Sequence, residues 1–101
     1  MLTPITAQGN DTMNIQIPNP FTYQSRKEFL PVVKSIVIDT NSELTLDFNG
    51  VDMIDSSALG MLLIAREKAR GTEGRVSLIN CNDKIKKILT VAQFDMLFKI
   101  P

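Results

Sequence analysis

A chain of 101 residues, 44% hydrophobic and 22% charged, is expected to fold as a single domain over 1–101 around one modest core. Its 11 basic and 11 acidic residues cancel, which excludes the bulk positive field of a nucleic-acid binder. The lone Cys81 allows no internal disulfide, and the absence of His removes zinc constellations and a Ser-His-Asp triad. No segment reaches the roughly 18 apolar residues of a membrane span, and "MLTPITAQGND" has no leader-like run. The expected setting is cytoplasmic, without membrane insertion.

"LTPIT" and "TMNIQIP", separated by "AQGND", predict hairpin strands within 1–18, with Met13, Ile15 and Ile17 alternating against Asn14 and Gln16. Pro18 and Pro20 break the pattern. Phe29, Val32, Val33, Ile36 and Val37 then share one helical stripe, predicting a helix over 25–38, capped by Ser25 and kinked or delayed by Pro31. A strand over 43–48 closes at Asn49-Gly50. A helix over 57–70 ends at Gly71, with Arg66, Lys68 and Arg70 complementing its dipole. "RVSLINC" predicts a strand over 75–80, and Asn82 caps a helix over 83–93 that buries Ile85, Ile88, Leu89 and Ala92. "MLFKI" predicts a last strand over 96–100. The order ββαβαβαβ implies an α/β fold, a small mixed β-sheet backed by helices and at least partly parallel.

The stretch "DMIDSSALGMLL", residues 52–63, sets two hydroxyls between an aspartate and an apolar run. Ser56 has two readings. It can cap the following helix by accepting a backbone amide, or it can carry a modification. A phosphate there would meet the free amides of a helix N-terminus, so the fold could hold it. It would also place roughly 1.5 to 2 negative charges beside Asp55 and near Asp47 and Asp52. Ala58, Leu62, Ala65 and Ala69 form the stripe expected to face the sheet, while Ser57, Met61, Ile64 and Lys68 lie on another. The first turns are thus apolar nearly all round, and Gly60, disfavoured inside a helix, suggests close approach of another backbone. Ala58, Gly60, Met61, Ile64 and Asp52 are the candidate partner-binding residues.

"LTLDFNGVDMIDSSALGMLL" resembles the core motif of STAS domains, and specifically of the anti-sigma-factor antagonists, in which Asp-Ser-Ser-Gly-Leu-Gly opens a helix. "GRVSLINCNDKIKKILTVAQFDMLFKI" is similar to the strand, capped helix and terminal strand that follow in that family. The resemblance is close over about 43–100 and loose before it. It implies that Ser56 is the phosphorylated serine, with Asp55 and Ser57 adjacent to the switch. The chain departs from the motif at Ala58, where the family commonly has Gly, and in "NPFT", where Asn19 and Thr22 stand at Gly and Asp positions.

What the resemblance implies is partner switching in bacterial signal transduction. A serine kinase of the histidine-kinase-like ATPase type, an anti-sigma-factor-like partner, phosphorylates Ser56; a PP2C-type phosphatase reverses it; the unmodified form binds its partner. The protein itself is then expected to be no enzyme, with no catalytic residue and no cofactor or metal of its own. The residues agree, since "DSSALG" is not a Gly-x-Ser-x-Gly elbow. The alternative is a constitutive STAS-type interaction subunit, for example of an ABC lipid-transport complex, in which Ser56 is only a helix cap.

Overall fold

The computed structural model describes residues 4–5, 12–35, 43–69 and 76–101. Strand β1 (Pro4–Ile5) pairs antiparallel with β2 (Thr12–Gln16), the hairpin expected from the two β-prone segments. Helix α1 (Arg26–Lys34) leads to β3 (Glu43–Asp47), α2 (Ser56–Lys68) to β4 (Val76–Ile79), and α3 (Asp83–Val91) follows. The sheet order is β1-β2-β3-β4, with β2, β3 and β4 parallel. Helices α1 and α2 therefore each cross between neighbouring parallel strands, as the alternation of helical and strand patterns required.

Register decides which side chains meet. Ile15 pairs with Leu46 and Leu46 with Leu78, while Leu44 pairs with Val76, and all five are fully buried. Asn14, Thr45 and Ser77 alternate with them on the opposite, half-buried polar face. One core forms between the apolar face and the helices, drawing Phe29 and Val33 from α1, Ala58, Leu62 and Ala65 from α2, and Ile85 and Leu89 from α3. Phe21 stands edge-on to Phe29 at 5.1 Å and to Phe48 at 6.1 Å between ring centroids, which ties the loops after β2 and β3 into that core.

Several expectations change. Ser25 does not cap α1: its hydroxyl accepts from the Thr22 amide and donates to the Pro20 carbonyl, closing a 3-10 turn, Tyr23–Ser25, that runs straight into the helix. Pro31 neither delays nor ends α1, which continues through it to Lys34, and Pro31 is exposed. The expected extension to residue 38, with Ile36 and Val37, lies outside the described residues, as do Arg70 and Gly71. Asn82 does cap α3, accepting from the Ile85 amide at 2.8 Å. Ala92 is exposed rather than buried, because α3 ends at Val91 and Gln93 turns left-handed with φ 63°.

The last predicted strand is the largest correction. Residues Phe94–Met96 form a 3-10 turn, and only Lys99 reaches the sheet, as a single parallel bridge to Ser77. Phe94 and Phe98 stack at 5.5 Å with both rings buried. In a strand, residues four apart are about 13 Å apart and could not touch. The stacked rings, with the Phe98 amide returned to the Phe94 carbonyl at 2.9 Å, wind residues 94–98 as a turn in place of a strand.

Candidate functional site

The loop after β3 turns at Asn49-Gly50, where Gly50 takes φ 83°, and the Val51 amide returns to the Phe48 carbonyl at 2.9 Å. The chain then runs extended beside the segment after β2: Phe21 bridges Ile54, and the Phe21 amide donates to the Met53 carbonyl at 2.9 Å. Asn19 accepts from the Asp52 amide at 2.9 Å, and Asn82 donates to the Val51 carbonyl at 3.1 Å. Two other loops, the one after β2 and the one after β4, thus hold residues 51–54 in place before α2 begins.

Asp55, not Ser56, is the cap of α2. Its backbone is extended, with φ −118° and ψ −179°, and its Oδ1 accepts from the Ala58 amide at 2.9 Å. Its Oδ2 accepts from the Tyr23 amide at 3.0 Å, fastening the segment before α1 to the start of α2. These bonds, that from Tyr23 first and then those from Ala58 and Ser57, hold the Asp55 carboxyl below the usual carboxylate range. Asp is as good a cap as Ser, so the pattern Asp-Ser-Ser before an apolar run already admitted this arrangement. The reading in which Ser56 serves as the helix cap is overturned by it.

Ser56 is the first residue of α2 and is exposed; Ser57 is half-buried. Among the described residues neither hydroxyl makes an intramolecular hydrogen bond. A hydroxyl at this position faces solvent beside the free amides of the first helical turn.

The expected partner-binding residues divide. Asp52, Gly60 and Ile64 are exposed, whereas Ala58 and Met61 are buried, Ala58 fully. Ala58, Leu62, Ala65 and Ala69 do face the core, but the buried arc of α2 is wider than that stripe and takes in Met61; α1 packs against α2 as well. No backbone closes on Gly60: a β-carbon built there would meet nothing within 4 Å.

Residues that the sequence did not single out complete the surface. Tyr23 is 52% exposed and Met53 54%, and both adjoin Asp55, the first through its amide and the second through chain proximity. The Arg26 guanidinium lies 3.8 Å from the centre of the Tyr23 ring and donates to the Tyr23 carbonyl at 3.1 Å. Leu63 and Ile64 continue the apolar exposure along α2. The cue was available, a single tyrosine in the turn-rich segment before α1, but its contact with Asp55 spans 32 residues of sequence.

Asp47, Asp52 and Asp55 do not converge. Asp47 accepts from the Asn49 amide and the Asn80 side chain, Asp52 faces solvent, and among the described residues no three His, Cys, Asp or Glu side chains are grouped so as to hold a metal ion. Nor, among them, is any helix long and apolar enough to cross a membrane.

The STAS domain family matches residues 3–101, nearly the whole chain. This chain belongs to the STAS family. A STAS-domain containing protein of Pseudomonas aeruginosa strain UCBPP-PA14 is 33% identical over 99 residues, 98% of this chain and 97% of that protein. The fold resembles that of Bacillus SpoIIAA, an anti-sigma factor antagonist, in its unphosphorylated form, with TM-score 0.77, 14% identity and coverage of 100% of this chain and 88% of the other. SpoIIAA in its phosphorylated form matches with TM-score 0.65, again at 14% identity, covering 100% and 91%. A sulfate transporter family protein of Wolinella succinogenes matches with TM-score 0.71 and 20% identity, over 93% of this chain and 79% of that one. The fold therefore occurs both in an anti-sigma factor antagonist and in a sulfate transporter family protein.

Proposed function

We propose that this STAS protein is a non-enzymatic partner-switching regulator controlled at Ser56. The observation that carries this reading is an exposed Ser56 hydroxyl freed from structural duty, since Asp55 performs the capping. Around it lie Tyr23, Met53, Gly60, Ile64 and Asp52, an apolar surface edged by acid. Unmodified, this surface binds the partner. A phosphate at Ser56 adds charge of about −1.5 to −2 beside Asp55, and a partner that had covered the apolar groups must then bury or repel a dianion. Ser57 and Asp55 act as neighbours of the switch, Asp55 by fixing the position of residue 56. The phosphorylating enzyme is a serine kinase of the histidine-kinase-like ATPase type, itself the anti-sigma-factor-like partner, and a PP2C-type phosphatase resets the protein. The likeness to SpoIIAA, which is known in both phosphorylated and unphosphorylated forms, supports the same reading.

The test is incubation with such a kinase and ATP, followed by intact-mass measurement and partner capture. One added phosphate, absent in Ser56→Ala, with capture retained by Ser56→Ala and lost by Ser56→Asp, is expected. The second reading, a constitutive STAS-type interaction subunit, draws support from the transporter-family likeness in fold alone. Identical capture by wild type, Ser56→Ala and Ser56→Asp would establish it instead.

A further inference from the structure

Arg26 is a half-buried cation whose partners among the described residues are all neutral. Its guanidinium sits 3.8 Å from the centre of the Tyr23 ring and donates to the Tyr23 carbonyl at 3.1 Å. A guanidinium is a planar fork of donors suited to paired bonds with an anion, so this arrangement leaves its strongest bonding capacity unused. Arg26 lies one turn before the buried Phe29 of α1, whereas Lys27 beside it is exposed.

The same tyrosine is tied to the switch. Its amide donates to Asp55 Oδ2 at 3.0 Å, and Asp55 immediately precedes Ser56. Only the backbone of one residue separates the two Tyr23 bonds, which places the guanidinium at most about 10 Å from the Asp55 carboxylate. The turn Tyr23–Ser25 also packs against α2. Rotation of a long arginine side chain spans such a gap. From Ser35 to Ala65 the sequence holds no Lys or Arg, so the start of α2 has no cation of its own.

A phosphate on Ser56 changes what Arg26 can bind. It offers charge-assisted, paired hydrogen bonds roughly twice as strong as those to neutral groups, in competition with one carbonyl and an aromatic face that holds a solvated cation weakly. We propose that Arg26 is the internal clamp of the Ser56 phosphate, leaving the Tyr23 ring to bind it, so that modification rearranges the docking surface as well as charging it. The exposed Tyr23 ring then loses the cation that covers it in the unmodified form. This role rests on Ser56 being the modified residue.

The experiment uses the full chain with phosphoserine installed at position 56 during synthesis, so no kinase is needed. By phosphorus NMR, the phosphate on the otherwise wild-type chain should titrate at a pH about 0.5 or more below that of Arg26→Gln, because a nearby cation favours the dianion. Added salt should narrow the gap. Arg26→Lys should restore part of it, keeping the charge without the fork. In proton spectra the Arg26 Hδ signals should be ring-shifted upfield in the unmodified chain and return towards ordinary values in the phosphoprotein. Equal titration of the phosphate with and without Arg26 would overturn the clamp, as would an equal effect of Lys27→Gln or Arg26 Hδ signals that stay ring-shifted after modification. Because the phosphate is installed synthetically, these results stand apart from whether a kinase labels Ser56, which the incubation with kinase and ATP decides.

Discussion

Both oxygens of the Asp55 carboxylate are engaged, one by the Ala58 amide inside α2 and the other by the Tyr23 amide 32 residues away in sequence. One side chain thus starts the helix and fastens a neighbouring loop to it. Substitutions separate the two roles. Asp55→Asn keeps an oxygen for Ala58 but offers an NH₂ to the Tyr23 amide, so the cap survives and the tether is lost. Asp55→Ala loses both and should cost about 1 kcal/mol or somewhat more, roughly 4–8 °C in Tm per kcal/mol. Hydrogen exchange at the Tyr23 amide should accelerate in both variants, and at Ala58 only in Asp55→Ala. Protection of Tyr23 in Asp55→Asn would refute the tether.

The same carboxylate gives the protein an acid-sensitive element. Its folded-state pKa lies below the unfolded value of about 3.9, so its contribution is complete above that value and lost as pH falls through the folded one. Wild type should therefore lose stability more steeply than Asp55→Asn below about pH 4. Parallel denaturation midpoints for the two proteins between neutral and acid pH would show that Asp55 adds nothing there.

Ser56→Ala should be nearly neutral for folding, within about 0.5 kcal/mol, because the exposed hydroxyl makes no hydrogen bond among the described residues. Chemical denaturation reads this directly. A loss of about 1 kcal/mol or more would restore the serine to a capping role and remove the premise of the switch.

Gly60 is exposed in the middle of α2 with open space where a β-carbon would stand. Gly60→Ala should therefore stabilise the fold by about 1 kcal/mol. If the glycine serves a docked partner, the same methyl should weaken capture by the unmodified protein. A variant that is more stable and binds as well as wild type would remove Gly60 from the docking surface.

These relationships differ in how far they could be read from sequence. The alternation of Ile15 and Ile17, the stripe of Ala58, Leu62, Ala65 and Ala69, and the Asn82 cap are short-range periodic signals, and each is found in place. Burial of Met61 is set by tertiary packing around α2, and the C-terminal turn by Phe94 meeting Phe98, neither of which a short-range pattern shows. At the site, Ser56 and its acidic neighbour were visible as a motif. Tyr23 and Met53 were not, because Asp55 and Phe21 bring them there through contacts across the chain.

Cys81 is half-buried, and burial pushes its thiol up to about 11. The nearby Lys86 pulls the other way without overcoming it. At pH 8 only about one thiol in a thousand is then ionised, and the thiolate is the reactive form. Iodoacetamide should modify the folded chain far more slowly than the same chain in urea. Comparable rates in the two conditions would show a thiol free of that burial.

Asn82 also has two tasks, accepting from the Ile85 amide to cap α3 and donating to the Val51 carbonyl in the loop that leads to Ser56. Ser at this position can cap but is too short to keep both bonds, and Asp can cap but cannot donate. Asn82→Ala should cost about 1–2 kcal/mol through the lost cap. Asn82→Ser should leave α3 protected while exchange rises at the Asp52 amide, whose own bond to Asn19 depends on the loop staying in place. Asn82→Asp should loosen the loop further, since the Asn82 amide lies 3.5 Å from Asp52 Oδ1 and a second carboxylate there would repel it. Equal deprotection of α3 and the loop in every variant would mean that the cap alone sets the local stability, and that α3 and the switch loop are not joined through this side chain.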